Sequence, residues 1–107
     1  MIKEEYVMKF SLGLHARPSA KIVEGLKPLN LDKARIITKE VDANLRSLLE
    51  ILLVQVAPGK KFKIVLEGKD EKAAKEFLDN FFYNNKDEPY ATDKQLAKYT
   101  DSGSVEE

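Results

Sequence analysis

The sequence predicts an α+β fold: an open-faced sandwich in which a four-stranded antiparallel sheet is covered on one face by three helices, in the order β-α-β-β-α-β-α. Two observations carry this. Four short segments alternate apolar and polar residues with period two, so each has one face to bury. Three others place apolar residues three and four apart, the stripe of a helix lying on a core. One-faced strands and striped helices bury each other's apolar surfaces when stacked in two layers. A chain of 107 residues suits one such domain.

The elements follow in order. Glu4 to Phe10 is a strand, with Tyr6, Met8 and Phe10 on one face and Val7 and Lys9 on the other. Ser11 to Leu14 is a loop. Ala16 to Lys27 is a helix striped by Ala20, Ile22, Val23 and Leu26; Gly25 weakens its last turn and Pro28 ends it. Ala34 to Lys39 alternates as a second strand, and Val41 to Asn44 is a short third one. Ser47 to Val54 is a short helix, and Ser47-Leu48-Leu49-Glu50 fits a capping box, in which serine and glutamate satisfy each other's free backbone N–H groups. Pro58-Gly59 marks a turn. Lys61 to Glu67 is the fourth strand, burying Phe62, Ile64 and Leu66. Asp70 and Glu71 place acids in the first turn of the last helix, whose stripe is Ala74, Phe77, Leu78 and Phe81.

The apolar pattern fails after Tyr83. Residues 1–84 are therefore expected to form the domain, and 85–107 a flexible C-terminal extension. Tyr90, Leu96 and Tyr99 are the side chains through which that extension would dock if it does. It holds six acids and three lysines, leaving 15 basic against 12 acidic residues in 1–84, a net +3. That excess is too small and too scattered among non-aromatic residues for a nucleic-acid surface, though it can steer acidic protein partners. No cysteine is present, so disulfide and thiol chemistry are excluded. One histidine without cysteine cannot build a zinc site of the usual kind, and no cofactor motif occurs. The charged start Met1-Ile2-Lys3-Glu4-Glu5 is unlike a signal peptide, and the apolar run Ile51 to Val54 is too short to span a bilayer. A cytoplasmic, monomeric protein is the expectation.

His15, the sole histidine, lies in Gly13-Leu14-His15-Ala16-Arg17-Pro18-Ser19. Gly13 allows a turn after the strand. Pro18 suits a first helical turn, where its missing N–H costs nothing. The imidazole is thereby placed at a helix N-terminus. The free backbone amides there, those of Ala16 and Arg17, and the positive end of the helix dipole favour an anion. Arg17 adds a forked cation suited to phosphate oxygens. A nucleophilic imidazole beside an anion cradle is the arrangement of a histidine that carries a phosphoryl group. The plainer reading of each residue alone is a cap, a surface charge and helix punctuation; their combination at one strand-to-helix junction favours the chemistry.

This heptad resembles the active-site signature of the HPr family, the small histidine phosphocarriers of the bacterial sugar phosphotransferase system. Asn44-Leu45-Arg46-Ser47-Leu48-Leu49 resembles the family's second signature, around a regulatory serine. Phe62 to Gly68, followed by Asp70-Glu71, resembles its last strand and the start of its last helix. The likeness covers roughly residues 3 to 84 and implies the same open-faced sandwich. It implies that His15 attacks through Nδ1, that Ala16, Arg17 and Pro18 form the phosphate cradle, and that Ser47 is open to an HPr kinase/phosphorylase. It implies Enzyme I, charged by phosphoenolpyruvate, as donor and sugar-specific enzyme II components as acceptors. The protein would then be a stoichiometric reactant rather than an enzyme, with no cofactor. Two departures stand out: Glu50, where the family often has glycine, and the extension beyond the last helix.

The short helix carries more apolar residues than one buried face can use. Leu48, Leu49 and Leu52 are expected to form an exposed partner surface, which the resemblance places beside His15, with Lys27 and Arg17 as orienting charges; the extension or a second copy of the chain covering it is the alternative. The competing functions are a regulatory relative acting mainly through protein binding and phosphorylation of Ser47, and a pure interaction module in which His15 only caps a helix.

Overall fold

The computed structural model describes residues 1–92 and 94. The element order is β1 (Ile2–Val7), α1 (Ala16–Leu26), β2 (Lys33–Ile37), β3 (Asp42–Asn44), α2 (Leu48–Leu52), β4 (Lys61–Glu67) and α3 (Glu71–Tyr83). The four strands pair antiparallel in the spatial order β1-β4-β2-β3. Tyr6 pairs with Phe62, Ala34 with Leu66 and Ile36 with Ile64, so the apolar rows of three strands fall on one face. All six are buried there against Ile22 and Leu26 of α1, Ile51 of α2, and Ala74, Leu78 and Phe82 of α3.

Most boundaries move by a few residues from the pattern, and one move matters. The first strand ends at Val7 rather than Phe10, although Met8 and Phe10 keep the alternation and are fully buried. Met8 still bonds to the Pro58-Gly59 turn, donating to the Lys60 carbonyl and accepting from the Gly59 amide. At Lys9 and Phe10 the chain has left β4 and pairs instead with a segment beyond α3. β4 buries Phe62, Ile64 and Leu66 as expected, but Val65 on the opposite face is also buried. Its register partners are Lys3 and Arg35, whose long stems can cover it.

α3 buries Ala74, Leu78 and Phe81 of the expected stripe, leaves Phe77 half-buried, and adds Phe82, whose ring packs against those of Tyr6, Phe10 and Phe62 at 5.6, 5.8 and 5.1 Å. The capping box at α2 forms only by half. Ser47 Oγ accepts from the Glu50 amide at 3.3 Å, but the Glu50 carboxylate accepts from the Asn44 amide at 2.9 Å instead of returning to Ser47. The Ser47 amide is already bonded to the Asn44 carbonyl.

Beyond α3 the chain folds back over the domain. Asn85 Oδ1 accepts from the Asp87 amide at 2.8 Å, a local turn of the kind asparagine favours. The Ser11 amide then donates to the Pro89 carbonyl and the Ala91 amide to the Lys9 carbonyl, with Phe10 and Tyr90 bridged antiparallel. The Tyr90 ring stacks on Phe10 at 5.9 Å, and its hydroxyl donates to the Phe82 carbonyl and accepts from the Asn85 amide. The expectation of a flexible extension therefore meets a packed segment over 85–92, anchored through Tyr90. Leu96 and Tyr99 lie outside the described residues.

Gly13, which opens the histidine loop, has φ +70°, and a Cβ there would lie 2.3 Å from the Val56 carbonyl oxygen. That oxygen accepts from the Leu14 amide, so the contact locates the loop. Gly13→Ala should therefore destabilise the fold by at least about 2 kcal/mol, from left-handed backbone strain and a backbone clash together. Urea unfolding of the two proteins measures this; coincident transitions would show that the loop relaxes freely.

Candidate phosphoryl-acceptor site

His15 is the N-cap of α1, with extended backbone, and its carbonyl accepts the Ser19 amide at 3.1 Å. Its side chain makes no capping bond to the helix. Pro18 lies in the first turn, whose amides lack helical acceptors. The amides of Ala16 and Arg17 are therefore left at the dipole's positive end beside the imidazole. The imidazole is about one-third exposed and the Arg17 side chain more than half exposed, so both are within reach of a partner.

The residue that sequence reasoning missed is Glu88. Its side chain is fully buried, and its two oxygens are divided between the two site residues. Oε1 lies 3.1 Å from His15 Nε2, and Oε2 accepts from Arg17 Nε at 2.9 Å. Burial works against the carboxylate's charge, but the hydrogen bonds and charges of Arg17 and His15 outweigh it and hold the carboxyl below its ordinary value. With Nε2 engaged, Nδ1 is the ring nitrogen left uncommitted. The Arg17 contact uses Nε and leaves the terminal guanidinium nitrogens out of the bond. Lys21, one turn along α1, reaches Asp87 at a looser 3.4 Å.

The other expected site residues fall elsewhere. Lys27 is the C-cap of α1, at the opposite end of an eleven-residue helix from His15, or about 18 Å along its axis. Arg46 donates to the carbonyls of Leu31 and Lys27, which seats the start of α2, and with it Ser47, near that far end. The chain after α2 returns to the histidine end, where the Val56 carbonyl holds Leu14. Ser47 and His15 are thus at opposite ends of one helical face. Leu48, Leu49 and Leu52 are exposed, Leu49 to 79%, and Leu53 and Leu12 join them at 69% and 68%. Leu12 lies in the histidine loop itself and was not anticipated. Among the described residues no cluster of potential metal ligands occurs, and no helix is long and apolar enough to cross a membrane.

The fold and the site together define a small α+β protein built around one histidine at a helix N-terminus with a neighbouring arginine. Comparison with known proteins gives the same class a family. The family pattern described as "PTS HPr component phosphorylation site" matches residues 2–84. The chain is 29% identical over 84 residues to the phosphocarrier protein HPr of Xylella fastidiosa strain 9a5c, covering 78% of this chain and 93% of that one. It is 32% identical over 78 residues to HPr of Lysinibacillus sphaericus, covering 73% and 88%. The crystal structure of HPr-C-His from Thermoanaerobacter tengcongensis superposes with a TM-score of 0.71 at 27% identity, over 77% of this chain and 91% of that one. The chain belongs to the HPr family of phosphocarrier proteins of the phosphotransferase system. Glu88 lies outside the matched residues.

The lowered ionisation of Glu88 sets a pH dependence. A carboxyl whose folded-state pKa lies below its ordinary 4.5 contributes stability that is fully present above that value and is lost as pH falls through the folded-state value. The docking of 85–92 should therefore hold at neutral pH and loosen in acid. Hydrogen exchange at the Ala91 and Ser11 amides, followed from pH 7 downward, checks this. Protection, corrected for intrinsic exchange, that stays constant until the whole domain unfolds would contradict it.

Proposed function

We propose that this protein accepts a phosphoryl group on His15 Nδ1 from Enzyme I charged by phosphoenolpyruvate, and passes it to enzyme II components in the cytoplasm. The observation that carries the reading is the His15–Arg17 pair at the start of α1. One ring nitrogen is bonded and the other uncommitted, and free amides and a guanidinium lie beside it. Attack on phosphorus needs a ring-nitrogen lone pair, which the neutral imidazole carries. Transfer of a phosphoryl group needs in-line positioning and charge stabilisation more than covalent help. The cradle of Ala16, Arg17 and Pro18 supplies the second, and docking of the partner supplies the first.

The partner surface we assign to Leu12, Leu48, Leu49, Leu52 and Leu53, whose exposure is unusual for leucines on a small domain. Apolar area of this kind gives affinity without fixing a single partner, while Arg17 and, at the far end, Lys27 contribute orientation. The regulatory reading through Ser47 has weaker support. Its hydroxyl is taken up as the α2 cap, and the Glu50 carboxylate in the first turn of that short helix would repel an added phosphate.

Incubation with Enzyme I and phosphoenolpyruvate, followed by intact-mass measurement, tests the carrier reading. The wild type should gain one acid-labile phosphate and His15→Ala none; acid-labile phosphate on a folded His15→Ala variant would sink the assignment. Leu49→Glu should keep the fold and slow transfer at least about tenfold, equivalent to about 1.4 kcal/mol of lost interaction. Unchanged kinetics in that variant would move the docking surface elsewhere.

A further inference from the structure

We infer that Glu88, contributed by the segment beyond the family domain, is a positioning residue for phosphoryl transfer at His15; the inference rests on the carrier reading above. Three observations lead to it. The carboxylate is buried in a segment whose other residues are exposed or half-buried, so its place is specified rather than incidental. It contacts both residues of the site and divides its oxygens between them, at 3.1 and 2.9 Å. Its location is set by neighbours on both sides. Asp87 is turned back by Asn85, and Pro89 and Ala91 are bonded to Ser11 and Lys9, a few residues before His15 in the same chain.

Such a contact does two things to a nucleophilic imidazole. A neutral ring has one N–H and one lone pair, and a carboxylate at Nε2 selects the tautomer with the proton on Nε2. The lone pair is then on Nδ1. During transfer that lone pair forms the N–P bond, the bond from phosphorus to the donor breaks, and its electron pair leaves with the donor. The Nε2 proton stays on the ring, which becomes cationic, and Glu88 is already in place to meet that charge. The same carboxylate holds Arg17 by Nε and fixes the guanidinium plane, so its terminal nitrogens face the incoming phosphoryl oxygens at little ordering cost. A carboxylate so close to an incoming dianion would ordinarily repel it. Here its charge is matched by Arg17 before transfer and by the ring as transfer proceeds.

The alternative for the same contact is a cover: a segment that occupies Arg17 and must leave before phosphate arrives. The two predict opposite rates. In Glu88→Ala, two-bond proton–nitrogen NMR of the His15 ring should reveal a populated Nδ1–H form that is absent from the wild type. Transfer from phosphorylated Enzyme I should fall about tenfold or more, the usual scale when a hydrogen-bonded orienting partner is lost. Glu88→Gln keeps an acceptor for Nε2–H but no charge, and its rate should fall between the two. Both changes in Glu88→Ala together support the inference. An unchanged tautomer, an unchanged rate, or faster transfer overturns it, the last in favour of the cover. If Glu88→Ala does not fold, the Gln variant decides, and a wild-type rate there overturns the inference. A wild type that accepts nothing from Enzyme I would mean that the carrier reading itself has failed; the tautomer comparison, which needs no donor, then decides whether Glu88 orients the ring.

Discussion

The structure depends on one row of side chains that runs off the end of a strand. Tyr6, Met8 and Phe10 lie on one face of an extended chain, and all three are buried although regular pairing stops at Val7. Burying an aromatic or methionine side chain contributes about 1.5–3 kcal/mol each, so the row holds the chain against the core past the strand's end. The turn from the Phe10 carbonyl to the Gly13 amide follows at once, and Gly13 can make it because its backbone enters the left-handed region against Val56. His15 is delivered to the start of α1 by this sequence of constraints. Ile22 and Leu26 then dock the helix on the same core.

The site built at that point holds one cation, one titratable ring and one buried anion, and each depends on the others. A lone buried carboxylate is costly, and Arg17 with His15 offsets that cost. Arg17 alone would be a mobile surface side chain, and the Glu88 bond gives it a direction. Removing one member of such a trio leaves the remaining charges worse placed than before. The exposed leucines of α2 are a separate feature, and the proposed carrier role gives them the part of contact area.

Much of this was legible in the sequence. Periodicity located all seven elements because each has one apolar face to hide, and the β4 boundaries match the alternation of Lys61 to Glu67 at both ends. The histidine motif could be read because its parts are neighbours in sequence and each has a local backbone reason. The misses have separate causes. Glu88 meets His15 and Arg17 across 73 and 71 residues, and a contact at that separation leaves no local spacing to detect. The described part of the extension has one aromatic anchor, Tyr90, and beyond the contacts of Asp87 and Glu88 it docks through backbone hydrogen bonds, which any residue but proline can donate. Glu50 satisfied the capping-box pattern, yet Asn44 offered its carboxylate a better donor. Only Tyr90, an isolated large ring in a polar stretch, was a usable signal that residues after Tyr83 pack.

The long reach of the Glu88 contact also separates the fold from the completed site. Residues 1–84 hold every strand and helix described here, and the carboxylate beside His15 comes after them. Closing a connection of this length costs chain entropy that local turns do not. The segment that closes it is short and, Glu88 apart, exposed or half-buried, which places it among the parts of a protein that open first. A local opening there leaves His15 and Arg17 without their shared carboxylate.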